Sequence, residues 1–135
     1  MLNHRDIEEI VRSSLDPASG LVIAASADVH HYLTMTIQPG RSSDTRLHLE
    51  RAEAAIRTNG VDTFVLDLDG SFEYRDIDWQ PQGQREILTL MTRLAQAYLA
   101  GEGRQGERRG VTGRRYGQLT LELDGVPYVC KGERR

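Results

Sequence analysis

The stretch from Val61 to Trp79, VDTFVLDLDGSFEYRDIDW, constrains the fold more than any other part of the chain. Phe64, Leu66 and Leu68 alternate with Val65, Asp67 and Asp69, the two-residue period of a half-buried strand. Asp69-Gly70 is a turn signal, and Phe72 and Tyr74 resume the apolar positions beyond it. A two-residue loop would set Leu68 against Ser71 and Leu66 against Glu73, mixing the two faces. A three-residue loop of Asp69, Gly70 and Ser71 sets Leu68 against Phe72 and Leu66 against Tyr74, which keeps one side dry. The spacing predicts the longer loop, with Gly70 in the left-handed conformation. Past Tyr74 the apolar positions shift to Ile77 and Trp79, predicting a bulge near Arg75-Asp76.

This ribbon also carries six carboxylates, Asp62, Asp67, Asp69, Glu73, Asp76 and Asp78, against one cation, Arg75. With the Phe/Leu/Tyr side buried, the aspartates turn toward water. Asp67, Asp69, Glu73, Asp76 and Asp78 then form an acidic face, with Trp79 as an aromatic anchor. Such a face suits a protein partner with a basic surface, because aromatics supply affinity and charge supplies steering. Small acidic inhibitors, including immunity proteins that neutralise toxins, use a surface of this physical type.

Around the ribbon the chain reads as alternating helices and hairpins. Asn3 caps a first helix with Asp6 completing a capping box, and Ile7, Ile10, Val11 and Leu15 form its apolar stripe. Asp16-Pro17 ends it. Two strands follow, LVIAAS and Val29 to Gln38, and then Pro39-Gly40. A second helix is expected from Ser42–Asp44 to about Thr58, burying Leu49, Ala52, Ala55 and Ile56. Pro81 starts a third, striped by Ile87, Leu90, Met91, Leu94 and Tyr98. Asp124-Gly125 centres a last hairpin pairing Leu123 with Val126, Leu121 with Tyr128 and Leu119 with Cys130. The expected class is α+β in the order α-ββ-α-ββ-α-ββ: three helices with a mostly antiparallel sheet built from hairpins. Residues 1–135 are read as one domain, with a flexible Gly/Arg-rich loop at 101–113 and a frayed tail at 132–135.

That loop supplies the alternative site. Arg104, Arg108, Arg109, Arg114 and Arg115, with His30 on a strand face, would contact an anionic small molecule or nucleic-acid phosphates, with a small enzyme as one form of this reading. No aromatic interleaves with the arginines before Tyr116, and the net charge is −3, so nucleic acid is disfavoured. His30 and His31 point to opposite strand faces and cannot readily share a metal ion. No metal or cofactor is expected.

FVLDLDGS resembles the first motif of haloacid-dehalogenase-like phosphatases, which implies Asp67 as nucleophile and Asp69 as acid/base, with magnesium held by Asp67 and a later acidic pair. The chain departs from that family after Ser71. Too few residues remain for its alternating strands and helices, and no strand-ending acidic pair follows Lys131. The two strands, helix and GVDTFVLDLDG also resemble the anti-sigma-factor antagonist domain. Arg75-Asp76-Ile77-Asp78 stands where that family carries its phosphorylated serine, so no phosphoacceptor is carried over. No complete catalytic set has usable local spacing, and a non-enzyme is favoured.

The longest apolar run, Leu21 to Ala25, is far too short for a membrane span, and the charged N-terminal helix is no signal peptide. Cys130 is the single cysteine, read as a small buried hydrophobe rather than a nucleophile. A cytoplasmic binding or inhibitor module is the expectation. An exposed edge on a terminal hairpin would also allow two copies to pair sheet to sheet.

Overall fold

A computed structural model describes residues 2–27, 32–40, 52–60 and 62–134. Within them are two helices, α1 (His4–Ser14) and α2 (Pro81–Leu99). The strands are β1 (Leu21–Ser26), β2 (Leu33–Pro39), β3 (Ala54–Asn59), β4 (Thr63–Leu68), β5 (Phe72–Ile77), β6 (Arg104–Arg109), β7 (Arg115–Leu123) and β8 (Val126–Arg134). They form one antiparallel sheet in the order β1-β2-β3-β4-β5-β8-β7-β6. The molecule is therefore α+β, but the expected three-helix α-ββ-α-ββ-α-ββ order is overturned.

The correction falls between the first two hairpins. Residues 54–59, expected to end a helix, form β3, while residues 41–51 lie outside the described residues. AEAAIRT is rich in good helix formers, yet local propensity is a weak prior that tertiary pairing overrides. β3 lies between β2 and β4, with Ile56 opposite both Met35 and Leu66. A second correction concerns the arginine-rich segment. Residues 104–109 are an edge strand paired with β7 throughout, not a flexible loop. Residues 132–134 of the expected frayed tail are strand as well, with Gly132 opposite Phe72.

The helices follow from their caps and stripes. Asn3 accepts the Asp6 N–H at 2.8 Å while Asp6 accepts the Asn3 N–H at 3.3 Å, a reciprocal cap that satisfies two otherwise orphaned donors. Ile7, Ile10 and Val11 are buried from α1, and Ile87, Leu88, Met91, Leu94, Ala95 and Tyr98 from α2. Both helices pack on one face of the sheet, over Met35, Ile37, Ile56, Phe64, Leu66, Leu68, Leu119 and Leu121.

The opposite face follows from strand alternation: Arg57, Val65, Asp67, Glu73, Arg75, Gln118 and Lys131 turn away from the helices. Ala55 and Val65 are buried there although they lie outside the helix-covered core cluster. The central ribbon has the register of the three-residue loop, Leu68 opposite Phe72 and Leu66 opposite Tyr74. The expected bulge at Arg75-Asp76 is not found, because pairing runs evenly to Ile77 opposite Thr63. Ile77 therefore keeps the strand parity and faces outward.

Candidate partner-binding surface and the adjoining groove

The carboxylates of the ribbon do not make one continuous acidic face. Asp69, in a left-handed conformation at the turn, accepts the Tyr98 hydroxyl at 2.6 Å and the N–H groups of Ala52 and Glu53 at 3.1 and 2.9 Å. These bonds tie the turn to the end of α2 and the approach to β3, so Asp69 is structural. Asp67 accepts the Gly70 N–H at 2.7 Å and pairs with Arg57 at 3.0 Å. This places it in an antiparallel hairpin, held by bonds that stabilise the turn. The phosphatase resemblance implied a nucleophile at this position, in an alternating strand-and-helix fold that the chain does not have.

Glu73 pairs with Arg75 at 2.9 Å and stands opposite Lys131 on β8. Asp78 accepts the Gln80 N–H at 2.8 Å just ahead of α2. A carboxylate beside a helix N-terminus meets its positive dipole end, which accounts for this placement. Asp76 accepts the N–H of Ile77, the next residue, at 2.8 Å.

What remains projecting is apolar. Trp79 is 77% exposed and Ile77 is 58% exposed. They lie at the end of β5 beside Asp76 and Asp78. Asp62 joins this group across the ladder, where its carbonyl accepts the Asp78 N–H at 3.1 Å. The sequence pointed to Trp79 and its neighbouring acids. The parity shift to Ile77 that predicts a bulge reflects instead an apolar residue on the outward side of a regularly paired strand.

The arginines do not converge. Arg104 and Arg108 share the outer face of β6, opposite Thr120 and Tyr116, while Arg109 and Arg115 pair on the other face. Arg114 lies in the connection between β6 and β7, where its carbonyl accepts the Gly110 N–H. His30 is outside the described residues, and Tyr32 packs edge-on against His4 with ring centroids 4.1 Å apart.

Arg108 lines a common groove with part of the acidic ribbon. Its guanidinium stacks on Tyr116, 4.6 Å from the ring centroid, and its buried Nε has no hydrogen-bond partner among the described residues. A groove of about 490 Å³ runs past Arg108, Tyr116, Lys131, Gly132, Glu73 and Asp67. It presents both signs of charge, which suits a small polar ligand or a charged side chain. Sequence reasoning missed this groove because its walls come from five strands, and the β5–β8 pairing that brings them together leaves no local mark.

Cys130 is fully buried, and desolvation pushes its thiol up to about 11, the opposite of what a nucleophile needs. Among the described residues no group of three or more His, Cys, Asp or Glu is placed to hold a metal ion, and no helix is long and apolar enough to cross a membrane. No family model, curated protein or solved structure matches the chain.

Proposed function

We propose that the protein is a non-enzymatic binding or inhibitor module that docks a basic protein surface onto the end of β5. The observation that supports this reading is the exposure of Trp79, at 77%, two residues along from exposed Ile77 in a segment that also carries Asp76 and Asp78. A large aromatic in water loses little rotamer freedom on binding and buries much area, which makes it a good anchor. The acids around it would steer a cationic partner and orient it. The cytoplasm suits this role, since a free buried Cys130 fits a reducing compartment.

Trp79 is the sole tryptophan, so its emission reports the interface directly. A partner captured by the immobilised protein should shift that emission to the blue and bind more weakly as salt rises. Trp79→Ala should weaken capture at least about tenfold, as expected for a hot-spot residue. Asp76→Lys should lower the association rate. Equal capture by both variants would overturn the assignment.

A second reading rests on the Nε of Arg108, which has no hydrogen-bond partner among the described residues. The groove would hold an anionic small molecule between Arg108 and Lys131. Titration with inorganic phosphate and nucleotides should then give saturable binding that Arg108→Ala abolishes. A variant that binds as well as the parent rejects this groove.

A further inference from the structure

Among the described residues, the sheet ends differently at its two edges. β6 carries Arg104, Glu107, Arg108 and Arg109, charges that discourage another strand from adding there. β1, LVIAAS, has neither charge nor proline, and Val22, Ala24, Ala25 and Ser26 are exposed. An uncharged, exposed edge of this kind is a template for strand pairing.

The backbone shows which groups are available. Gly40 donates its N–H to the Gly20 carbonyl at 2.8 Å, in register with the β1–β2 ladder. Bonding alternates along an antiparallel strand, so Val22, Ala24 and Ser26 direct their backbone groups to β2. Leu21, Ile23 and Ala25 direct theirs outward. The Leu21 N–H already meets the Ser19 hydroxyl, though at a long 3.3 Å. Leu21 and Ile23 also place their side chains against the helix-covered core, where they are only partly buried.

We propose that β1 pairs antiparallel with β1 of a second copy of this chain, with Ile23 opposite Ile23, joining the two sheets edge to edge. The register follows from parity. Outward backbone groups must meet outward groups, so odd positions oppose odd positions. Centring on Ile23 sets Leu21 against Ala25 at both ends and engages all three outward residues of each copy. Centring on Ala24 would push Leu21 beyond the end of the partner strand. The chosen register also sets Val22 opposite Ala24 on one face, while on the other Leu21 meets Ala25 to either side of a central Ile23–Ile23 contact. That fit is of the strand with itself, and the edge offers no charge to select a charged stranger. The two-fold axis closes the assembly at two, and the charges of β6 oppose further growth.

Sedimentation across a concentration series tests the pairing, and the parent protein should be a dimer. Ala25→Pro removes an outward donor without touching the β1–β2 ladder, a substitution an edge strand tolerates. Val22→Lys puts a cation where only the dimer buries the position. Each should raise the dimer dissociation constant at least about tenfold with unchanged circular dichroism, since symmetry doubles every lost contact. If Ala25→Pro fails to fold, Val22→Lys decides. Trp79→Ala should leave the dimer intact, which separates this edge from the docking surface at β5. A parent that stays monomeric throughout, a dimer unaffected by these β1 variants, or a dimer lost in Trp79→Ala would each overturn the proposal.

Discussion

Tyr98, near the end of α2, reaches Asp69 across twenty-nine positions of sequence with a 2.6 Å hydrogen bond. The acceptor is a carboxylate and the pair is partly buried, so its loss exceeds that of an ordinary surface bond. Tyr98→Phe should lower stability by about 1–2 kcal/mol, read as a drop in the urea midpoint with an unchanged slope. Cys130 makes a different statement. Its thiol ordinarily ionises near 9, and burial raises that to about 11. Between those values the unfolded chain releases a proton that the folded chain keeps. The stabilising contribution is complete below 9 and is lost as pH rises toward 11, by up to ~1.4 kcal/mol per pH unit. Tyr74, raised by burial and by Asp76, adds in the same direction at higher pH. Urea midpoints followed upward through this range should fall less steeply in Cys130→Val. The carboxylates and Tyr98 were visible in the sequence as residue types. Their pairing was not, because nothing local to Asp69 specifies a partner on a distant helix.

At the scale of elements, legibility followed burial. α1, α2, the central ribbon and the β7–β8 hairpin each bury one stripe or face, so period and turn residues gave their place and register. β6 has no apolar side chain to alternate; an edge strand need bury nothing, and its pairing is a property of backbone. β3 failed for the opposite reason. Ala54 and Ala55 are both buried, on opposite faces, and paired alanines read as helix. The β7–β8 ladder also shifts register between Tyr116 and Gln118, where Gly132 meets Gly117. A Cβ on Gly132 would come within 2.8 Å of the Gly117 carbonyl oxygen, which is backbone and cannot swing away. Gly132→Ala should therefore cost about 1–3 kcal/mol, read by thermal unfolding, with Phe72 displaced at 3.1 Å.

The whole molecule is a sheet with two unlike faces, and the side away from the helices, with the groove across it, was the least legible part. Polar and apolar residues mix along it, Val65 and Ile77 among Arg57, Asp67 and Arg75, so hydropathy gives them no common direction. β8 enters between β5 and β7, a choice of neighbour that no run of letters encodes. The acidic face read from composition was similarly divided by topology: Asp69 went to the turn, Asp67 and Glu73 to the groove, Asp76 to the end of β5 and Asp78 to the approach to α2. The β5–β8 ladder is short, with Phe72 opposite Gly132 and Glu73 opposite Lys131, while α2 packs against strands on both sides of it. In form the sheet is thus two plates on a common spine. The groove straddles the joint, with Asp67 and Glu73 on one plate and Arg108, Tyr116 and Lys131 on the other. A slight twist of one plate against the other would open or narrow it, so the width offered to a guest and the closure of the joint are one degree of freedom.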